Sequence, residues 1–252
     1  MADSKVALIT GGSRGIGRAI VELLAARGLR VLFTYASREG DAAAVESAVK
    51  AAGGEAKKLR ADVADAKSAQ TVVRTALDAF GRIDVLVNNA GTHLPHVSIA
   101  DTSPEEWDRV LRVNLYGTFH MVQAVLPHMR VRKGGNIVNL SSNITSRFAA
   151  NNCVYTVSKV GVEALTRILS KEEGRNGIRV NAVAPGPIRT DMLEETMVKI
   201  GPERADAFIK SVPLGRKGEP SEIAEAVAFL VSDAASYMTG QVVFVNGGGP
   251  GN

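Results

Sequence analysis

A chain of 252 residues, 45% hydrophobic and 22% charged, can bury a sizeable core and has the make-up of an ordinary globular domain rather than of a disordered or fibrous protein. The formal charge of +4 comes from scattered basic residues with no stripe interleaved with aromatics, which argues against a nucleic-acid partner. No apolar run approaches the roughly 20 residues needed to cross a bilayer, so no membrane partner is expected.

The start Met1-Ala2-Asp3-Ser4-Lys5 runs straight into a strand-like segment, so no signal peptide is expected. The single cysteine, Cys153, allows no intramolecular disulfide and fits a reducing compartment; cytoplasmic location is the expectation.

Short apolar runs rich in β-branched residues alternate with longer amphipathic stretches. A strand is predicted at Val6–Thr10 and a helix over Gly15–Arg27, then a strand at Arg30–Tyr35 and a helix over Gly40–Ala52. The strand Glu55–Ala61 leads to a helix over Lys67–Phe80, and Ile83–Asn88 to a long helix over Pro104–Arg130 in which Pro127 predicts a kink or an early end. Gly135–Leu140 precedes a helix over Val154–Arg175, and Arg179–Val183 and Val242–Asn246 bracket a helix over Pro220–Val231. Pro104 and Pro220 suit first helical turns.

Several strands are apolar throughout, as strands covered on both faces should be. The pattern predicts an α/β fold: one doubly wound parallel sheet of about seven strands with helices on both faces, in a single domain over residues 1–252. Within Pro185–Lys217 two short helical segments interrupt the rhythm, and an insertion at about 187–217 is expected to form a substrate lid. The tail Gly247–Asn252, with four glycines and a proline, is expected to be loose unless a partner subunit holds it.

After the first strand comes Thr10-Gly11-Gly12-Ser13-Arg14-Gly15-Ile16-Gly17, opening the first helix. Glycines let the backbone turn tightly and approach a pyrophosphate, whose charge is favoured by exposed N–H groups at a helix start. A bound NAD usually has its ribose 2′-hydroxyl held by an acid at the end of the second strand. That place falls to Tyr35 or its neighbours Thr34 and Ala36, and no carboxylate is available. Arg14 and Arg38 can instead reach a 2′-phosphate, so NADP(H) is expected in preference to NAD(H).

Tyr155-Thr156-Val157-Ser158-Lys159 lies near the start of a helical pattern, and i,i+4 spacing puts the phenol and the amine on one face. A phenol of reference pKa about 10 is only about 0.1% ionised at pH 7, and a neighbouring ammonium would favour the charged form. Ser141 and Ser142 follow the buried run Asn136–Leu140 at the C-terminal end of a strand, where ligands sit in open α/β sheets. A hydroxyl there can donate to a developing alkoxide, and chemistry alone does not separate the two serines. His93 and His96 flank Leu94-Pro95 without carboxylate or cysteine partners, so no metal site is expected and they read as loop residues. Cys153, two residues before Tyr155, reads as a small packing residue.

Thr10–Gly17, Asn88-Asn89-Ala90-Gly91, Asn114 in Val113-Asn114-Leu115, Ser142, Tyr155 with Lys159, and Pro185-Gly186 together resemble the short-chain dehydrogenase/reductase family over essentially the whole chain. The resemblance implies a Rossmann-like fold and selects Ser142, thirteen residues before the tyrosine. It implies that Asn114, Ser142, Tyr155 and Lys159 are catalytic, with Lys159 on the nicotinamide ribose hydroxyls and Asn114 organising a water that leads protons to it.

For the cofactor it implies a glycine loop of Gly11, Ser13, Arg14, Gly15, Ile16 and Gly17, and an adenine contact at Asp62 beside Val63. Asn89, Ala90 and Gly91 would support the adenosine side, and Pro185, Gly186, Ile188 and Thr190 would line the nicotinamide, Thr190 as side-chain donor. Pro213-Leu214-Gly215-Arg216 and Met238-Thr239-Gly240-Gln241 are similar to β-ketoacyl carrier-protein reductases of the family, though such segments recur in sugar, steroid and polyol dehydrogenases. The expected reaction is reversible reduction of a small-molecule carbonyl, including that of an acyl-carrier-protein thioester. A non-catalytic NADP(H)-binding regulator would not require all four of Asn114, Ser142, Tyr155 and Lys159. The family's usual assembly makes a homotetramer the expectation.

Overall fold

Alternation along the strands decides the layering, because successive side chains of a strand point to opposite faces. In β1 (Val6–Ile9), Ala7 and Ile9 join one apolar cluster while Val6 and Leu8 join another. β4 (Val85–Asn88) and β5 (Gly135–Leu140) divide the same way, with Val85, Val87, Val138 and Leu140 on one face and Leu86 and Ile137 on the other. A sheet that is apolar on both faces needs a helical layer on each side.

With β2 (Arg30–Tyr35), β3 (Ala56–Arg60), β6 (Ile178–Pro185) and β7 (Val242–Val245), these strands form a seven-stranded parallel sheet in the order β3-β2-β1-β4-β5-β6-β7. The computed structural model describes residues 4–249; Met1–Asp3 of the N-terminal segment and Pro250–Asn252 of the glycine-rich tail lie outside the described residues.

One face is covered by α1 (Gly15–Ala26), α2 (Glu39–Ala51) and α10 (Pro220–Val231), through residues such as Ile20, Leu24, Val45 and Val227. The opposite face carries α3 (Ala66–Phe80), α5 (Gly117–Arg132) and α7 (Cys153–Glu173), through Val72, Phe80, Met121, Met129 and Leu169. The chain leaves β1 toward β2 on one side and returns at β4 on the other, so a crevice opens at the carboxyl ends of these strands. No helix among the described residues is long and apolar enough to cross a membrane.

The predicted helix over Pro104–Arg130 is not continuous. It divides into α4 (Pro104–Leu111), a π turn over Arg112–Tyr116, and α5. The π turn contains Asn114, whose side chain is bonded outside its own helix to Thr92 and Ser158. Pro127 does not end α5, which runs on to Arg132. Gln123 and Pro127 are both exposed, so the carbonyl that loses its partner is open to water. A helix of four residues, α6 (Ile144–Arg147), is too short to leave a periodic signal and was not predicted. The insertion holds two helices, α8 (Asp191–Ile200) and α9 (Pro202–Lys210).

The far end of α7 is anchored by charge. The Glu173 side chain is 1% exposed and accepts from Arg130 Nε of α5 at 3.0 Å and from Asn176 Nδ2 at 2.9 Å. The Arg130 guanidinium holds its carboxyl below the usual carboxylate range. Arg130→Met leaves that carboxylate buried without its cation and is expected to destabilise the fold by about 2 kcal/mol in urea unfolding at pH 7, below a fully buried pair because the guanidinium is half exposed. A depressed carboxyl stabilises above its unfolded pKa and stops doing so as pH falls through its folded value, so the gap between variant and parent should narrow in acid.

Candidate active site

The glycine loop is drawn against the end of β4. Thr10 Oγ1 accepts from the N–H groups of Asn89 and Ala90 at 3.1 and 3.0 Å, and Asn89 Nδ2 donates to the carbonyls of Thr10 and Gly11 at 2.9 Å. Gly11 is left-handed, at φ 68°, and a Cβ there would stand 2.9 Å from Ala90 Cα. At Gly17 a Cβ would meet the Gly11 carbonyl oxygen at 2.1 Å, so only glycine lets helix and loop approach this closely.

No side chain caps the first turn of α1, which leaves its N–H groups for an anion. Ser13, Arg14, Gly15, Ile16 and Gly17 line a cavity of about 690 Å³ that also takes in Tyr35, Arg38, Asp62, Val63, Asn89, Ala90 and Gly91. This loop, an uncapped helix start and paired basic side chains fit a dinucleotide. Asp62 Oδ1 also accepts from the Ala64 N–H at 2.9 Å, a local turn bond.

Arg14 and Arg38 come together on a residue that sequence reasoning missed. Asp191, the first residue of α8, is bonded to Arg14 and lies 3.4 Å from Arg38 Nη1, with Asp41 at 3.6 Å. The bond from Arg14 holds the Asp191 carboxyl below its ordinary value. The three residues are far apart in sequence, and only the acid following Thr190 hinted at the contact.

The catalytic candidates meet at the ends of β5 and β6. Tyr155 and Lys159 stand one turn apart on α7, with Lys159 Nζ 5.8 Å from the phenol ring centroid. Lys159 is 5% exposed and donates to the Leu140 carbonyl at 2.7 Å. Burial lowers its pKa to about 8. A Cβ on Gly91 would sit 3.7 Å from Nζ, so the cofactor-side loop forms one wall of the amine's pocket.

Burial pushes the Tyr155 phenol up, opposed by a hydrogen bond with Ser142. The expected depression of this phenol by Lys159 is therefore corrected for the cofactor-free protein. The ammonium directs a proton to the Leu140 carbonyl, and desolvation is the largest influence on the phenol. The two serines diverge: Ser142 Oγ accepts from Ile144 N–H at 3.3 Å near Tyr155, whereas Ser141 donates to buried Glu163 at 2.7 Å.

The Asn114 side chain ties three segments together. Its Nδ2 donates to the Thr92 carbonyl and to Ser158 Oγ, both at 2.9 Å, and its Oδ1 accepts from Thr92 N–H at 2.8 Å. Both N–H groups of the side-chain amide are thus committed to protein. Pro185, Gly186, Ile188 and Thr190 line the cavity, and a Cβ on Gly186 would stand 2.6 Å from Asn246 Cα. Thr190 caps α8 and donates to the Ile188 carbonyl at 3.2 Å, so its hydroxyl already has a local acceptor.

His93 stacks edge-on to Tyr155 at 6.5 Å and pairs with Thr196 Oγ1 of α8 at 3.2 Å, and burial lowers its pKa. His96 pairs with Asn151 at 3.4 Å. Cys153 opens α7 and is partly buried.

A glycine-rich phosphate loop at a sheet switch point, joined in one cavity to a serine, a tyrosine and a buried lysine, defines a nicotinamide-dependent oxidoreductase class. The family model described as enoyl-(acyl carrier protein) reductase matches residues 11–249. The 3-oxoacyl-[acyl-carrier-protein] reductase FabG of Staphylococcus aureus is 40% identical over 248 residues, covering 98% of this chain and 99% of that protein. Its Vibrio cholerae namesake is 39% identical over 246 residues, covering 98% and 97%.

Among solved structures, a levodione reductase superposes with a TM-score of 0.93 at 39% identity, covering 97% of this chain and 96% of that one. A double mutant of a Serratia marcescens short-chain dehydrogenase/reductase gives 0.90 at 40%, covering 97% of each. The chain belongs to the short-chain dehydrogenase/reductase family. It is an oxidoreductase acting on carbonyl or CH–OH groups of small molecules with a nicotinamide cofactor.

Burying Lys159 carries a stability cost. A fall from 10.5 to about 8 corresponds to about 3 kcal/mol. Lys159→Met recovers this less about 1 kcal/mol for the Leu140 carbonyl left bare, so the cofactor-free variant should be about 2 kcal/mol more stable at pH 7. Between pH 8 and 10.5 the unfolded lysine binds more protons than the native one, so the parent gains stability as pH rises. Urea unfolding should show the variant's advantage vanishing near pH 10.

Proposed function

We propose that the protein is a reversible NADPH-dependent carbonyl reductase, with a 3-oxoacyl carrier-protein thioester as the leading substrate class. The observation that carries this reading is the convergence of Ser142, Tyr155 and Lys159 on the cavity that holds the glycine loop. The bound cofactor supplies the hydride. Tyr155, kept neutral by burial, gives its proton to the substrate oxygen, and Ser142 donates to the same oxygen and polarises the carbonyl. The Lys159 ammonium favours the phenolate left behind and holds the nicotinamide ribose hydroxyls. Asn114 acts on this group by fixing Thr92 and Ser158 around it rather than through a water on its amide.

The NADP preference rests on Arg14 and Arg38, which already share one carboxylate in Asp191. A 2′-phosphate carries more charge than that exposed acid and competes for both guanidiniums. The insertion at about 187–217 acts as a lid on a single domain, since α8 and α9 line the cavity. Exposed Tyr116, Phe119, Val157, Val160 and Ile168 on and beside α5 and α7 favour assembly through these helices, in keeping with a homotetramer in the cytoplasm. A second reading, a dehydrogenase of a sugar, polyol or steroid alcohol, rests on the segments Pro213-Leu214-Gly215-Arg216 and Met238-Thr239-Gly240-Gln241, which recur in such enzymes.

Oxidation of NADPH followed by absorbance across a carbonyl panel that includes a 3-oxoacyl thioester tests the substrate class. Tyr155→Phe should lower kcat by roughly 10²–10⁴-fold while NADPH binding, followed by fluorescence titration, is retained; wild-type turnover in this variant would refute the proton role. Arg38→Asp should weaken NADPH by about ten- to a hundredfold and leave NADH little changed. Equal affinity of the parent for both cofactors would remove the basis of the preference.

A further inference from the structure

The end of the cavity away from the glycine loop contains a cation that the reaction at Tyr155 does not use. Helix α6, which begins two residues after Ser142, ends at Arg147. Its partly buried guanidinium lines the cavity and lies 4.9 Å from the centroid of the Phe208 ring of α9. Among the described residues no carboxylate comes within 4.0 Å of it, whereas Arg14, Arg130, Arg189 and Arg216 are each paired. Desolvation pushes Arg147 down from its ordinary value with no nearby acid to offset it. Arg204, one turn before Phe208 on α9, lines the same cavity and also lacks a carboxylate within 4.0 Å.

The acids that line the cavity are engaged elsewhere, Asp62 by the Ala64 N–H and Asp191 by Arg14 and Arg38. The residue after Arg147, Phe148, is held left-handed at φ 45°, and Asn151 at φ 62°, so the turn that presents this guanidinium is strained. A partly desolvated cation without a carboxylate partner is costly unless a ligand supplies the counter-charge. Its stacking on Phe208 occupies a face of the guanidinium and leaves N–H edges for the oxygens of an oxyanion.

We propose that the substrate carries an oxyanion, a carboxylate or a phosphate, seated by Arg147 with help from Arg204 while its carbonyl lies at Tyr155. This rests on the carbonyl-reductase reading above. The carboxylate would belong to a short oxo acid; the phosphate would belong to a pantetheine-type arm bearing the oxoacyl thioester.

Calorimetric titration of the NADPH-loaded protein with 3-oxobutanoate, its methyl ester, pantetheine 4′-phosphate and pantetheine separates the two sources. At least one oxyanion probe should bind tenfold or more tightly than its neutral counterpart, and the pair showing the advantage identifies the group. Arg147→Met keeps an unbranched stem against Phe208 and should erase that advantage, while Arg147→Lys should restore part of it. Circular dichroism and NADPH titration establish that each variant is folded. Equal affinity within both pairs, no detectable binding of either oxyanion probe, or an advantage that survives in Arg147→Met would overturn the assignment. An intact oxyanion advantage without turnover of any carbonyl would instead sink the reductase reading and leave the Arg147 site standing.

Discussion

The ammonium of Lys159, almost wholly withdrawn from water and bonded to the carbonyl of Leu140, sets the conditions for the surrounding site. An isolated charge at this depth would shed its proton or pull the helix out of place. The fold prevents both by supplying the end of β5 as an acceptor and the Gly91 backbone as a wall, and by fixing α7 at its far end through Glu173 and Arg130. Asn114 completes the enclosure: its π turn brings one amide against Thr92 of the β4 loop and Ser158 of α7. The strain of a buried amine is thus distributed over three elements that meet at the sheet's carboxyl edge.

The same burial decides which form of the phenol the cofactor-free protein holds. A raised pKa keeps Tyr155 protonated through the neutral range, which suits donation to a substrate oxygen. The same withdrawal from water lowers the neighbouring Lys159 to about 8. Burial thus shifts both groups toward their neutral forms, the phenol upward and the amine downward.

Much of this was legible in the sequence because it is local. Strands β2 and β5 begin and end at the residues predicted for them, and the glycine loop announces itself by its spacing after the first strand. Tyr155 and Lys159 are paired by the period of the helix that carries them. What could not be read depends on residues brought together by the fold. The break at Arg112–Tyr116 accompanies tertiary bonds of Asn114, and the survival of α5 past Pro127 depends on that turn facing water. The direction of the Tyr155 shift follows from burial, which no spacing encodes. Asp191 gave no signal because its partners lie in the first two βα connections, more than a hundred residues away.

The inserted segment joins the two ends of the cavity. Asp191 at its start engages Arg14 and Arg38, while Phe208 in its second helix packs on the Arg147 guanidinium. Thr196, between them, holds His93 edge-on to Tyr155. Two short helices packed on one another thus touch the cofactor pocket, the phenol's neighbour and the distal cation in sequence order. A ligand that draws Arg14 and Arg38 away from Asp191 changes what holds the N-terminus of α8, and that change is one packed helix away from the ring that supports Arg147. The two ends of the cavity consequently share one inserted segment, carried by the ends of the sheet rather than by the strands beneath.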